Sequence, residues 1–547
     1  MDTRRGVNRR ELTIAAAALA LGGISSLPHP RALAVAAMQP ARSPWVPADG
    51  LRLAGPVQEP ATLDPALSRD LSTNFLIRQV FRSLVRFDAG LRPVPDLAES
   101  ITASTDGLSY RVMLRVEARF HDGRQIGADD VHESFSRALR PATAGGAAAS
   151  LPGVTYLGDI KGAGEILKGE TDVLSGVRVL DEKTLDITLT QPSATFLMKL
   201  GGVPTSIIDR HQSTIGQAWT PPNGSGPFRL QSWTRGESMR LAAADTWWQG
   251  APRIPSVDIR TGPAASQPLN LYQAGEIDLV EEIPPDQVPL VADPASGIEV
   301  GALIQTDLFA VSYIAFGNDE PPLDDPHVRQ AIKLAFPAVN VARAMFNGAV
   351  QEANGLIPDG MLSTVWPSPV SLVDVDTARD EIARSRYGSV ERVPPISVYG
   401  ADVAPLEALR DTVGESLGLA IDVVSVNWPD FLDGLAARRF PAYALYWGVD
   451  YPDPENLLWA LFGSDSPENY TGYRNEAFDS AMAEARRTLD PGRRAEIYAD
   501  AQSILIGEVA VIPLYFDRQT TLARPGLEGL DVTPMGILGL ETIGASS

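Results

Sequence analysis

After Trp45 the sequence switches repeatedly between two hydrophobic periods, and that alternation limits the fold more than any other feature. A strand-like run, Leu51-Arg52-Leu53-Ala54, gives way to the turn-rich Leu63-Asp64-Pro65. From Leu71 to Phe87 the apolar positions Phe75, Leu76, Val80, Phe81 and Leu84 follow helical spacing, with Ser72 or Thr73 available as a cap. Tyr110 to Leu114 and Thr184 to Leu189 alternate with period two, punctuated by the turns Asp106-Gly107 and Asp122-Gly123. Ala128 to Leu139 returns to helical spacing, and Ala142 to Ser150 reads as an Ala/Gly-rich loop. The second half is more helical: His327 to Phe346 (broken or kinked at Pro337), Ala404 to Leu417 stopped by Gly418, Phe478 to Leu489 and Arg493 to Ile506. The β-branched run Ile421 to Val426 follows the second of these. Helix followed by strand, repeated, indicates an α/β protein with open sheets. No period of 20–50 residues recurs, which excludes solenoids and propellers.

Charge and composition narrow the function. The 547 residues carry 46 Lys+Arg against 68 Asp+Glu, a net charge of -22. The one dense basic cluster is Arg4, Arg5, Arg9 and Arg10, so nucleic acid and anionic lipid are not expected partners. There is no cysteine, which excludes disulfides, thiolate metal sites, a catalytic thiol and a Cys-linked lipid anchor. Only five histidines are present, none in H-E-x-x-H or with a second His at ligand spacing, so neither a metal site nor a cofactor is expected. Residues 1–34 read as an export signal: Arg9-Arg10-Glu11-Leu12, an uncharged run from Thr13 to Leu27, and the small-x-small site Ala32-Leu33-Ala34. The paired arginines resemble a twin-arginine signal. A cleaved, extracytoplasmic, monomeric protein is expected, its N-terminus near Val35.

Motifs for catalysis fail on context. Gly414-Glu415-Ser416-Leu417-Gly418 matches the G-x-S-x-G elbow of α/β-hydrolases, but a helix leads in and a strand leads out, the reverse of what an elbow needs. Gly164 to Thr171 misses a phosphate-binding loop because Glu170 stands where lysine is required. Asp129-Asp130, Glu281-Glu282 and Asp324-Asp325 are adjacent in sequence, and neighbours on a helix do not face one another; in an acidic chain they read as solvated surface. No catalytic residue is expected. A secreted α/β hydrolase or peptidase remains the alternative reading, resting on Ser416 or on an unrecognised carboxylate pair.

Several segments in order carry a resemblance. They begin with Leu63-Asp64-Pro65, Val80 to Phe87, Pro95-Asp96-Leu97-Ala98-Glu99-Ser100 and Asp106 to Tyr110. Phe120-His121-Asp122-Gly123, Ala128-Asp129-Asp130-Val131 and Gly224-Ser225-Gly226-Pro227-Phe228 follow. Gly275-Glu276-Ile277-Asp278, Asp325 to Ala331, and Tyr446 to Pro454 (YWGVDYPDP) complete the series. Together these resemble the extracytoplasmic solute-binding proteins of peptide-type ABC importers, bacterial family 5. The pattern departs at Phe336-Pro337, where the family usually has Asp and a basic residue. The resemblance implies a type II periplasmic-binding-protein fold: two lobes around a cleft, with an extra β-rich domain. By order, lobe I would comprise 45–90, 214–305 and 518–547, the extra domain 91–213, and lobe II 306–517. It also implies a peptide or related small-molecule ligand and an ABC permease as partners.

A receptor for peptides of any sequence must recognise main-chain N–H and C=O groups, which an open strand edge can do. By alignment with the family, those edges would be Asp70-Leu71-Ser72 on lobe I and Tyr446-Trp447-Gly448 on lobe II. Gly448 permits close backbone approach, and Trp447 offers a flat apolar surface. The family's peptide binders use an acidic residue at the place of Asp450 to neutralise the ligand α-ammonium. The other reading of Asp450 is a turn residue ahead of Tyr451-Pro452. An arginine that oligopeptide binders carry six residues earlier is Ala444 here.

Overall fold

The computed structural model describes residues 50–55, 60, 62–145, 151–212, 221–353, 355–366 and 373–545. The expected leader, residues 1–34, lies outside these, as do residues 146–150 of the expected Ala/Gly loop. Among the described residues no helix is long and apolar enough to cross a membrane.

The alternating periods resolve into a mixed eleven-stranded sheet. Its order is Ile421–Ser425, Ile396–Gly400, Ala442–Gly448, Ala302–Phe316, Val511–Ala523, Leu279–Val280, Leu51–Ala54, Ser256–Arg260, Ser238–Ala243 and Phe228–Thr234, with Gln351–Glu352 also against Val511–Ala523. Ile396–Gly400 and Ile421–Ser425 are parallel, and parallel neighbours need a crossover. The helix Ala404–Leu417 supplies it, ending as expected at Gly418, whose φ of 80° is left-handed and whose N–H bonds back to Gly414.

Two strands are much longer than the rest, Ala302–Phe316 with 15 residues and Val511–Ala523 with 13. They pair antiparallel from Ala302↔Ala523 to Ala315↔Val511, with a break in register between Asp307 and Val311. One end of this ribbon joins Leu279–Val280 and the strands beyond it; the other joins Ala442–Gly448. Among the described residues the chain therefore passes between the two halves of the sheet only along these two strands, and a bulge interrupts their ladder midway.

A separate antiparallel sheet of four strands, Ala98–Ala103, Ser109–Leu114, Thr184–Thr188 and Val177–Val179, makes up the β-rich section. Its inner face (Val112, Leu114, Leu185, Ile187) packs against Val131, Phe135 and Ala138 of the helix Ala128–Leu139. Each large apolar side chain so buried contributes about 1.5–3 kcal/mol.

Three expectations need correction. The helix expected to reach Phe87 is Leu71–Val80, followed by a short strand Val85–Phe87. Its last carbonyls are claimed from elsewhere: Ser225 and Gly226 N–H both donate to Val80 O, at 3.0 and 2.8 Å. A Cβ on Gly224 would sit 2.0 Å from Val80 O and one on Gly226 2.4 Å from Gln79 O, which is why this distant loop is glycine-rich. The cap is Asp70, whose carboxylate accepts from Thr73 N at 2.8 Å, rather than Ser72 or Thr73. Nor are the carboxylate pairs all solvated surface. Asp130 and Asp325 are buried, the first bonded to Arg124 and the N–H of Gly127, the second capping the helix Pro326–Ala335 and pairing with Arg386.

Candidate functional site

The strand Ala442–Gly448 pairs with Ala302–Phe316 in the register Ser312↔Tyr446, Val311↔Trp447 and Ala310↔Gly448. Val449 N donates to Phe309 O at 3.0 Å, which fixes the phase of the ladder. Antiparallel residues alternate, so Leu445, Trp447 and Val449 spend their N–H and C=O groups on this partner while those of Tyr446 and Gly448 point the other way. On that other side the parallel strand Ile396–Gly400 meets it only at Tyr399↔Tyr443. Beyond that point the edge has no strand neighbour among the described residues. Tyr446-Trp447-Gly448 therefore lies on an open strand edge.

Asp70-Leu71-Ser72 is not an extended edge. Asp70 is the cap and Leu71 and Ser72 the first turn of a helix, so their backbone cannot form a ladder with a ligand. The segment does reach the cleft. Leu71, 42% exposed, places its Cδ1 2.8 Å from where a Cβ on Gly448 would stand. Glycine at 448 thus leaves room between the strand edge and the facing helix.

Asp450 follows the strand and is held by Asn456, a fully buried side chain that the sequence reading did not single out. The Asn456 Oδ1 accepts from Asp450 N at 2.9 Å and from the Trp447 indole N–H at 3.1 Å, locking turn and ring together. Its Nδ2 donates to Asp450 Oδ2 at 3.4 Å, and the Tyr156 hydroxyl donates to the same carboxylate from the short helix Gly153–Leu157. Burial pushes the Asp450 carboxyl above its ordinary range, against these hydrogen bonds and the nearby charge of Arg78. Among the described residues Asp450 makes no ion pair, and Arg78 donates instead to Gly201 O at 3.2 Å. Asp450 thus sits in a turn held by Asn456, with its carboxylate hydrogen-bonded by Asn456 and Tyr156.

Further carboxyl groups gather here. Burial and the proximity of Asp450 raise Glu468 to about 8. Tyr446, Ser312 and Tyr515 lie side by side on three adjacent strands, and Glu282 and Asp517 are close enough to act on both tyrosines. Burial raises Glu281 to about 8, helped by Glu282; Glu282, an exposed residue, rises to about 7 through loss of hydration and the charge of Asp517. No composition or spacing signal marked Tyr156, Asn456 or Glu468, which come from three separate segments. The pair Glu281-Glu282 was visible in the sequence but read as surface.

Ser416, the basis of the hydrolase alternative, lies inside the helix Ala404–Leu417, and its hydroxyl donates to Thr412 O at 2.7 Å. No elbow is present there. Among the described residues no group of three or more His, Asp or Glu side chains could hold a metal ion.

Residues 92–469 match the model for bacterial extracellular solute-binding proteins, family 5, middle region. The chain belongs to this family. It is 27% identical over 492 residues to the periplasmic oligopeptide-binding protein OppA of Escherichia coli, covering 86% of this chain and 88% of that one. It is 28% identical over 508 residues to heme-binding protein A of Haemophilus influenzae, covering 87% and 89%. Haemophilus influenzae OppA in complex with the peptide RPPGFSPFR has the same fold, with a TM-score of 0.79, 20% identity and coverage of 92% and 100%. The fold is thus the type II periplasmic-binding-protein fold. The family's members are binding proteins rather than enzymes.

Proposed function

We propose that this protein is the substrate-binding component of an ABC importer, taking up peptides in the cleft beside the Ala442–Gly448 strand and delivering them to a membrane permease. The observation that carries this reading is the open N–H and C=O edge at Tyr446 and Gly448, next to a carboxylate at Asp450 that makes no ion pair among the described residues. A peptide main chain placed along that edge would pair with it, its ammonium reaching Asp450. Trp447 and Leu71 would flank it, and Ser72 and Asp70 would lie at the helix start opposite. The names of the relatives favour peptide over other solutes, and the heme-binding relative supplies the second reading.

The cleft also suggests a ligand charge. Burial raises the carboxyls of Asp450, Glu468, Glu281, Glu282 and Asp517, with Glu468 acting beside Asp450 and Asp517 beside Glu282, and Arg78 is close to Asp450. Ligands with basic side chains match this balance, and with Ala444 in place of an arginine the site has less to offer a free C-terminal carboxylate. The lobes would be those expected above: 45–90, 214–305 and 518–547 for lobe I, 91–213 for the extra domain, and 306–517 for lobe II, closing by a hinge in the two long strands. Residues 1–34 would direct twin-arginine export, leaving a monomer outside the cytoplasm.

Native mass spectrometry of the purified protein, followed by a thermal-shift screen of peptides, tests the reading. A ligand at 100 times its dissociation constant stabilises the fold by ~2.7 kcal/mol. A co-purified mass matching peptides, and shifts with peptides, are expected. Shifts with heme and none with any peptide would reject it.

A further inference from the structure

The segment carrying the ligand-facing edge runs on into a second contact. Tyr451 is fully buried among the apolar side chains beneath the four-stranded sheet, its ring 6.4 Å from that of Tyr156. Four residues on, Glu455 is fully buried as well. It accepts from Lys199 Nζ at 3.2 Å, from Arg486 Nε at 2.8 Å and from the Thr195 hydroxyl. Lys199 also donates to Asp159 at 3.0 Å, and Ala194 N donates to Arg486 O at 2.9 Å. Asp453, between the two anchors, faces the opposite way and is held by Arg494 at 2.8 Å and the Tyr498 hydroxyl at 2.7 Å, on the helix Pro491–Gly507. Residues 451–455 therefore form an arm rooted in the second half of the molecule and docked on the first.

Because among the described residues the chain crosses between the halves only along the two long strands, the contacts of Tyr451 with Tyr156, of Glu455 with Lys199 and Thr195, and of Ala194 with Arg486 must break when the halves part. We propose that Tyr451 and the Glu455–Lys199–Asp159–Arg486 cluster form a latch that holds the lobes together from outside the ligand cleft and sets how much protein is closed before ligand arrives. The inference rests on the hinged two-lobe reading given above. The physics suits a latch that can open. Charges buried together in a network regain hydration on separation, so such a contact sits near balance rather than welding the halves. Burial works against the Glu455 carboxylate, but Lys199, Arg486 and Thr195 outweigh it and hold it at about 2, so the latch stays charged at any ordinary pH. Since apparent affinity scales with the closed fraction, the latch tunes binding without touching ligand.

The absence of cysteine makes the test direct. Spin labels at Glu170→Cys and Asp433→Cys, both exposed and on opposite sides of the contact, report the lobe separation by pulsed dipolar spectroscopy without ligand. The parent is expected to give mainly one short distance. Lys199→Met with Glu455→Gln, which keeps side-chain volume, should raise the ratio of long to short distances about tenfold, and apparent affinity should fall only in proportion to the closed fraction lost. Thr195→Val, which leaves every charge in place, should move it the same way by less, and decides the matter if the double variant does not fold. Superimposable distance distributions in the folded variants would overturn the latch. Adding trilysine to the double variant reads the ligand assignment separately: a long distance that appears in the variants and is not drawn back to the short one by trilysine leaves the latch standing and counts against a peptide ligand.

Discussion

Replacing Asp450 by Asn isolates the charge that the proposed function depends on. Asn has the same size, and its side-chain oxygen can still accept from Tyr156 and Asn456, so the turn and the Trp447 indole stay in place. Burial already disfavours the carboxylate in the empty cleft, so the variant's thermal stability should match or slightly exceed the parent's. With a peptide bound, its ammonium would face a neutral amide inside a closed site. Breaking a buried pair typically costs ~3–5 kcal/mol. Glu468 stands close enough to Asp450 to supply part of the lost field, which favours the lower end, ~3 kcal/mol or roughly 10²-fold in affinity. Calorimetry with trilysine and N-acetyl-trilysine on parent and variant forms a double-mutant cycle. Acetylation should weaken binding to the parent about a hundredfold and to the variant hardly at all. Equal, additive losses would refute the pairing and leave Asp450 as a turn residue.

Other outcomes follow from the same geometry. Gly448→Val puts branched carbons into the space that Leu71 Cδ1 approaches to within 2.8 Å of a Cβ; peptide binding should fall at least tenfold by calorimetry while circular dichroism shows an unchanged fold. Glu281 and Glu282 have folded-state pKa values raised above their unfolded values, to about 8 and about 7. The folded protein then holds more protons than the unfolded one between about pH 4.5 and 8, so stability should fall as pH rises through that window and recover in Glu281→Gln. Trilysine, whose α-ammonium stays largely charged up to about pH 7.5, should bind more tightly at pH 7 than at pH 5.5 as Glu282 ionises, and should release protons on binding, measurable as a buffer-dependent heat. Replacing Arg9 and Arg10 together by Lys should retain the protein in the cytoplasm, and N-terminal sequencing of exported parent should begin near Val35; an exported chain still beginning before residue 12 would contradict this.

Much of the fold was legible because it follows local rules. Ala128 to Leu139, Leu51 to Ala54 and the stop at Gly418 appear where periodicity and cap chemistry put them. The failures are tertiary. Nothing local says that the helix beginning at Leu71 must end at Val80, since the groups that terminate it come from Ser225 and Gly226. Of the candidate site, Tyr446, Trp447, Gly448 and Asp450 share one continuous segment and could be read together. Tyr156, Asn456 and Glu468 meet them only through folding. Asp130 and Asp325 differ from the surface expected of acidic pairs because their charged partners, Arg124 and Arg386, reach them only in the folded chain.

The central claim is that the free edge of the Ala442–Gly448 strand is where ligand main chain is held. A crystal structure of the protein saturated with trilysine tests it most directly. The account expects peptide N–H and C=O groups at hydrogen-bonding distance from the backbone of Tyr446 and Gly448, with the N-terminal ammonium against Asp450. A peptide lodged elsewhere, with that edge still unpaired, would contradict it.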